Sequence, residues 1–322
     1  MSLPASLEGA LRIPVIGAPM FIVSVPELVL AQCKSGIIGG FPALNARPES
    51  MLDEWLAQIT GELAAHQKTN PEIPAAPFAV NQIVHQSNDR LRHDVELCVK
   101  YKVPIVITSL RPPAEVVDAV HSYGGLVFHD VINIRHAQKA IDQDVDGIIT
   151  VCAGAGGHAG TTSPFALVKE VRDIFDGTII LSGSMSRGND ALAAQAMGAD
   201  LAYFGTRFIA TEEANAPSAY KKMIVDSAAA DIVYTDLFSG VHGSYLRGSI
   251  INAGFDPDDL PEGELRTMNF GSGGNKKAKA WRDIWSAGQG VGTMDDIPTV
   301  AELVDRMEAE YRDAALSLSC AR

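Results

Sequence analysis

The chain has 322 residues, of which 47% are hydrophobic, and its formal net charge is -13. This composition is typical of a soluble globular protein with a large core. The acidic balance argues against a nucleic-acid partner, because binding to phosphate backbones requires a basic face. A small anionic ligand remains compatible with it if local backbone amides hold the anion.

The cysteines and the N-terminal residues indicate where the protein works. The cysteines are scattered without a C-x-x-C pair, which predicts reduced thiols rather than a disulfide framework: Cys33, Cys98, Cys152 and Cys320. The first residues have neither the basic nor the apolar region of a signal peptide. The apolar stretch 13–33 is broken by prolines and is too interrupted to span a bilayer. We therefore expect a cytoplasmic protein without a membrane partner.

Short apolar runs alternate along the chain with longer segments of helical periodicity. The runs are rich in Val, Ile and Leu and lack polar alternation, which is typical of parallel strands buried on both faces. They predict strands at Pro14–Ile16, Ile37–Gly40, Phe78–Asn81, Ile105–Thr108, Leu126–His129, Gly147–Val151, Thr178–Ser182 and Leu201–Gly205. The helical segments are Pro26–Lys34, Met51–Ala65, Asn88–Lys100, Ala114–Tyr123, Ile134–Gln143, Ser163–Phe175 and Asp190–Met197, with closing helices at Lys276–Ser286 and Val300–Leu316.

Eight strands in alternation with helices predict an α/β protein, a (β/α)8 TIM barrel. A doubly wound open sheet uses the same alternation, but the count of eight and a repeat of about 25 residues favour the barrel. The alternation loosens after Thr206. We predict a barrel domain from residues 1–210 and 276–322, with residues 211–275 forming a small helical and loop insertion that caps the barrel mouth.

Functional groups of such a barrel gather at the carboxyl ends of the strands. The sixth strand runs into a glycine-rich loop that contains His158. Glycines let the backbone approach a ligand closely, and histidine titrates near neutral pH, so we predict that His158 can reach a bound molecule. The next two strands end in Gly183-Ser184 and Gly205-Thr206, where barrels often bind phosphate through backbone amides. Tight turns without a ligand are the alternative at each position.

Other motifs carry less weight. The segment Gly154–Ala159 matches a relaxed dinucleotide-binding fingerprint, G-x-G-x-x-A, but the next strand does not end in the acidic residue that would bind the ribose. The spacing of the eight histidines does not indicate zinc, and we expect no metal site.

Several blocks of the sequence resemble one known family. The segment Pro14–Met20 resembles the opening motif of nitronate monooxygenases, formerly called 2-nitropropane dioxygenases. Later blocks resemble that family in the same order: Val127–Val131, Asp146-Gly147, Ala153–Gly160, Gly198–Asp200, Gly205–Phe208 and Trp285–Gly290. Each block alone is unspecific, but the ordered set is specific and runs through most of the chain.

This resemblance implies an FMN-dependent enzyme that oxidises alkyl nitronates, or nitroalkanes, with molecular oxygen to a carbonyl compound and nitrite. It implies that His158 is the base or the group that orients the substrate anion. It also implies a set of cofactor contacts: Ala18, Pro19 and Met20 at the flavin ring, Asn81 at its polar edge, Gly183, Ser184, Gly205 and Thr206 at the phosphate, and in addition Gly157 and Gln289.

The sequence departs from the family pattern at two places. The family often has Gly-Gly-Ile where this chain has Gly183-Ser184-Met185, and a serine gives up the low-cost access of glycine to positive φ. The loop Met20–Ser24 is bulkier than in many relatives, which narrows the expected pocket and leaves the substrate open.

Two other functions stay open at this point. One is an FMN-dependent NAD(P)H oxidoreductase with a quinone or enoyl thioester as acceptor, because one fold hosts many chemistries. The other is a non-catalytic flavin-binding protein. The sequence also leaves open whether the chain forms a homo-oligomer.

Overall fold

The computed structural model describes residues 3–111, 113–261 and 284–320. Eight parallel strands close into a barrel, so the predicted TIM barrel is confirmed. In chain order the barrel strands are β1 (Val15–Gly17), β2 (Ile38–Pro42), β3 (Phe78–Val84), β4 (Ile105–Leu110), β5 (Leu126–Val131), β6 (Gly147–Val151), β8 (Thr178–Ser182) and β9 (Leu201–Phe204), with β7 belonging to a second sheet.

Both faces of the barrel strands are buried, which explains why their sequences are continuous apolar runs. One set of side chains fills the inside of the barrel: Ile16, Ile38, Ala79, Ile105, Ile107, Phe128, Ile149, Ile180 and Leu201. Leu7, only 2% exposed, belongs to the same cluster. The larger apolar cluster combines strand residues such as Val80 and Val106 with residues of the surrounding helices.

Helices follow the strands and form the outer layer. They are α1 (Pro26–Lys34), α2 (Met51–Thr69), α3 (Leu91–Lys100), α4 (Ala114–His121), α5 (Ile134–Ile141), α6 (Pro164–Arg172), α7 (Gly188–Met197), α8 (Thr206–Ile209), α9 (Ser218–Asp226), α10 (Arg247–Asn252) and α11 (Val300–Cys320). Gly198 ends α7 with φ +107°, as expected from a glycine after a helix. None of the helices in the described residues combines the length and apolar composition needed to cross a membrane.

A second, antiparallel sheet lies within and beside the segment that we predicted to be a helical and loop insertion. It consists of β7 (Gly157–His158), β10 (Ile232–Thr235) and β11 (Gly243–Leu246), in the order β10-β11-β7. The strands are short, and β7 precedes its partner by more than 80 residues, so no local pattern announced the pairing. The insertion therefore contains strands as well as helices and loops.

Part of the C-terminal prediction lies outside the described residues, namely positions 262–275 of the insertion and 276–283 of the predicted closing helix. The end of that predicted helix is extended instead, and Ser286 forms an isolated antiparallel bridge with Tyr245 of β11. The second closing helix is present as α11. The division of the chain into two domains stays a prediction.

Candidate active site

A cavity of about 940 Å³ lies at the carboxyl ends of the barrel strands. The segment between β10 and β11 covers it from the insertion side with Phe238, Ser239, Val241 and His242. Every site residue that we predicted from the sequence lines this cavity except Gln289: Ala18, Pro19, Met20, Asn81, Gly157, His158, Gly183, Ser184, Gly205 and Thr206. The closed barrel thus brings together residues that are far apart in sequence, because all parallel strands end at the same rim.

His158 reaches the cavity from β7, whose backbone pairs with Gly243 of β11. Its Nε2 lies 3.0 Å from the Ser239 hydroxyl, which itself donates to the Val241 carbonyl at 2.8 Å. In the tautomer that satisfies both contacts, Nε2 carries the proton and Nδ1 is the basic nitrogen. Burial lowers the pKa of His158 to about 4, so its imidazole is neutral at pH 7, the form that can accept a proton.

A chain of hydrogen bonds crosses three neighbouring strands on the barrel side of the cavity. Asn81 of β3 donates from Nδ2 to the Ser109 hydroxyl of β4 at 2.9 Å. Ser109 in turn donates to Oδ2 of Asp130 on β5 at 2.5 Å. The other oxygen of Asp130, Oδ1, is buried and has no hydrogen-bond partner in the described chain. Burial raises the pKa of Asp130 to about 6.

Tyr203 of β9 lines the same cavity as Asp130. Burial and the negative charge of Asp130 both hold its pKa well above the ordinary value. The phenol therefore stays protonated at neutral pH and can act as a hydrogen-bond donor. Asp130 and Tyr203 thus add to the polar groups that the barrel strands bring to the cavity.

Asp130→Asn is expected to stabilise the ligand-free protein at neutral and alkaline pH but not at acidic pH. The pKa of the folded-state carboxyl is raised from 3.8 to about 6, so wild-type stability falls as the pH rises through this window. Asparagine does not ionise, and we expect the variant to be more stable at pH 8 by about 1–3 kcal/mol, since one pKa unit corresponds to 1.36 kcal/mol. Urea denaturation at pH 4 and pH 8 measures this difference. An equal effect at both pH values would contradict it.

The glycine loop after β6 is tied to the segment 286–290. Gly157 donates its backbone N–H to the Ser286 hydroxyl at 2.7 Å, and Gln289 donates its backbone N–H to the Gly154 carbonyl at 2.9 Å. Gly288 N–H donates to Oγ1 of Thr206 at 2.9 Å. Gln289 thus shapes the site through its backbone, which explains why it does not itself line the cavity.

The turn after β8 has an unusual backbone. Gly183 has φ +138° and Ser184 has φ +57°, so the serine takes the left-handed conformation despite its Cβ. Such a conformation costs about 1–2 kcal/mol for a residue other than glycine. The side chain is nevertheless accommodated, and both residues line the cavity before α7 begins. The backbone of this turn is therefore available to a ligand in the cavity.

Arg47 is a cavity residue that the sequence analysis missed. Its Nε donates to the Leu44 carbonyl at 2.9 Å, and its guanidinium lies 5.3 Å from the centroid of the Phe21 ring. Burial and the neighbouring charge of Arg90 lower the pKa of Arg47. No carboxylate pairs with it in residues 3–111, 113–261 and 284–320. Arg47 can therefore offer a positive charge to an anionic ligand.

Large apolar side chains surround the cavity mouth and remain partly exposed. Ile22 is 37% exposed, Leu110 42%, Ile132 39% and Val241 38%. They can contact the apolar part of a ligand. Across the portion of the chain that the structure describes, no group of three or more His, Cys, Asp or Glu side chains is placed to hold a metal ion.

The chain is similar in sequence and in fold to known proteins. A family model described as nitronate monooxygenase matches residues 7–310. A nitronate monooxygenase of Paraburkholderia phytofirmans is 25% identical over 94% of this chain and 93% of its own length. A (3aS,4S,5R,7aS)-5-hydroxy-7a-methyl-1-oxo-octahydro-1H-indene-4-carboxyl-CoA dehydrogenase of Rhodococcus jostii is 23% identical over 92% of each chain. The solved structure of nitroalkane oxidase from Streptomyces ansochromogenes is similar in fold, with a TM-score of 0.74 and 23% identity over 98% of this chain and 100% of that one.

Proposed function

Because the chain belongs to the nitronate monooxygenase family, we propose that it binds FMN in the barrel-mouth cavity and oxidises alkyl nitronates with molecular oxygen to a carbonyl compound and nitrite. The chain is an oxidoreductase of this family. The observation that carries the proposal furthest is the position of His158, a neutral imidazole in the wall of a cavity large enough for a cofactor and a small substrate.

The cavity fits a flavin in size and chemistry. Its volume of about 940 Å³ lies in the upper part of the range of roughly 300–1,000 Å³ that is common for ligand pockets. The buried Oδ1 of Asp130 needs a hydrogen-bond donor, which a flavin ring offers at its polar edge. The residues for the cofactor are those implied by the family: Ala18, Pro19 and Met20 beside the ring, Asn81 near its polar edge, Gly183, Ser184, Gly205 and Thr206 at the phosphate, and the Gly157 loop supported by Gln289.

A bound flavin supplies the electron chemistry, accepting electrons from the substrate and passing them to oxygen. The side chains of this protein bind and orient the substrate. If the substrate is a neutral nitroalkane, the imidazole of His158 takes the carbon-bound proton. If the substrate is already a nitronate, the other tautomer of His158 donates a hydrogen bond from Nδ1 to the anion while Ser239 donates to Nε2, and Arg47 attracts the anion electrostatically. The nitronate is thereby held beside the positive charge of Arg47 within an acidic protein.

A second candidate is an FMN-dependent NAD(P)H oxidoreductase that reduces a quinone or an enoyl thioester. The apolar rim of Ile22, Leu110 and Ile132 favours it, because these side chains could contact a long acyl or prenyl chain. The Rhodococcus relative is named as the dehydrogenase of a carboxyl-CoA substrate.

We further infer a cytoplasmic location, since the cysteines in the structure are free thiols.

Anaerobic mixing distinguishes the two candidates. We expect the purified protein to be yellow, to release FMN on denaturation, and to lose its flavin absorbance when mixed with the nitronate of 2-nitropropane but not with NADH. Bleaching by NADH or NADPH alone would favour the reductase. A colourless protein that takes up no added FMN would contradict both candidates.

A further inference from the structure

One carboxylate oxygen of Asp130 accepts a hydrogen bond from the protein, and the other accepts none from the part of the chain that the structure describes. Oδ2 accepts from the Ser109 hydroxyl, and Ser109 accepts from Asn81, which also donates to the Ile107 carbonyl at 3.2 Å. In this series of hydrogen bonds, Asn81 donates to Ser109 and Ser109 donates to the carboxylate of Asp130. Oδ1 is buried without a partner in the described residues, which costs free energy for as long as no donor reaches it.

The neighbours of Asp130 do not supply the missing donor. Tyr203 is close enough for its pKa to respond to the charge of Asp130, but the two side chains form no hydrogen bond in the described structure. His129, next in sequence, is turned to the other face of β5 and pairs through Nδ1 with the Thr108 hydroxyl at 2.8 Å. Asp130 itself lines the cavity. A ligand in that cavity can therefore donate to Oδ1.

We propose that Asp130 is a positioning residue for the cofactor, whose Oδ1 accepts a hydrogen bond from N3–H of the flavin ring. This inference rests on the proposed binding of FMN. The pyrimidine edge of an oxidised flavin carries a single donor, N3–H, between two carbonyl oxygens. Oδ1 of Asp130 can accept a hydrogen bond from N3–H, because the other carboxylate oxygen already accepts from Ser109. The same Oδ1 would be repelled by a flavin carbonyl oxygen. The bond is charge-assisted and stronger than one between neutral groups.

The chain Asn81–Ser109–Asp130 also explains how the carboxylate could select a ring orientation. Each member comes from a different, adjacent strand of the barrel, and β3, β4 and β5 are held in register by backbone pairing. The carboxylate is thus mounted on a rigid wall rather than on a loop. A ring placed with its benzenoid edge against Asp130 would leave Oδ1 without a partner.

Binding of FMN and of 3-methyl-FMN to flavin-depleted full-length protein tests this inference. The methyl group replaces the N3 proton and changes no other donor or acceptor of the ring. At pH 8, where a carboxyl with a pKa of about 6 is ionised, we expect wild type to bind FMN about 10- to 100-fold more tightly than 3-methyl-FMN. Quenching of flavin fluorescence gives both Kd values.

Variants separate the hydrogen bond from the steric effect of the methyl group. In Asp130→Ala the acceptor is gone and space is added, so we expect FMN to bind about 10- to 100-fold more weakly than in wild type and the two flavins to bind within about threefold of each other. Asp130→Asn gives a second variant of nearly the same shape. If the Ser109 hydroxyl donates to Oδ1 of the new asparagine, the asparagine Nδ2 faces the flavin N3–H. Two donors then oppose each other, and the preference for FMN over 3-methyl-FMN disappears as well. Asp142→Ala, at an exposed site after α5, should keep the wild-type ratio.

Equal affinity of wild type for the two flavins would overturn the role of Asp130 and leave the proposed FMN site intact. A strong preference for FMN that persists in Asp130→Ala would also overturn it, because the methyl group would then clash elsewhere. Failure of wild type to bind either flavin would instead contradict the proposed function itself.

Discussion

His158→Asn is expected to lower kcat/KM for nitroalkane or nitronate oxidation by about 100- to 10,000-fold, the usual contribution of a positioned acid or base. The imidazole is neutral because its pKa is about 4, so at pH 7 it can accept a proton at Nδ1 or, in its other tautomer, donate from Nδ1 while Ser239 donates to Nε2. Asparagine is polar and compact, but it cannot take up a proton. Steady-state kinetics with each substrate, together with the Kd for FMN, measure the effect.

The Kd for FMN should stay within about threefold of wild type in this variant, since the phosphate and ring contacts that we propose come from other residues. His66→Asn is the matched control, because His66 lies on α2 and does not line the cavity. A His158→Asn enzyme with wild-type kcat/KM would remove His158 from the reaction. A large loss of FMN affinity would make its role structural.

The barrel could be predicted because its signals are local. A parallel strand that is buried on both faces has a continuous apolar sequence, so it can be recognised without knowing which strands pair with it. Gly147–Val151, Thr178–Ser182 and Pro26–Lys34 were predicted with the bounds that the structure has. Once eight parallel strands close, the carboxyl ends share a rim, and the cavity position of His158 follows from topology.

The features that were missed depend on contacts between distant segments. The sheet of β7, β10 and β11 forms only when the glycine loop meets the insertion, and its strands are too short to show alternation. Asp130 was visible as the end of a strand, but its unsatisfied oxygen appears only beside Ser109 of the neighbouring strand. Arg47 could not be predicted as a site residue, because no sequence motif contains it and only the folded chain places it in the cavity wall.

At Ser184 and Gln289 the sequence indicated a place near the cavity but not the conformation or the contacts of the residue. Serine was recognised as a poor residue for positive φ, yet the structure holds Ser184 at φ +57°, because the surrounding turn fixes its backbone. Gln289 was assigned to the cofactor from its motif, whereas its backbone binds Gly154 and its neighbours Gly288 and Gly290 line the cavity. Ser184 lines the cavity and Gln289 lies beside it, and packing between loops sets the conformation of each residue.

The packing between those loops leads to the second strong prediction, for Gly288→Ala. A Cβ at this position would lie 2.7 Å from the Gly154 carbonyl oxygen and 2.9 Å from the Gly156 nitrogen. Both are backbone atoms, so no side-chain rotation can relieve the clash, and the segment 286–290 must move away from the glycine loop. Overpacking of this kind costs about 1–3 kcal/mol. We expect the Kd for FMN to rise about 10- to 100-fold, measured by fluorescence titration.

Gly61→Ala is the control for Gly288→Ala, because a Cβ at Gly61 would meet nothing within 4 Å. That substitution lies inside α2 and should leave the Kd for FMN unchanged while raising the free energy of unfolding by about 0.5–1 kcal/mol. If Gly288→Ala lowers the unfolding temperature and still binds FMN as wild type does, the contact between the loops stabilises the fold without shaping the cofactor site. If affinity falls while the barrel stays folded, the contact that sets the shape of the cavity is the one between the glycine loop and the C-terminal segment.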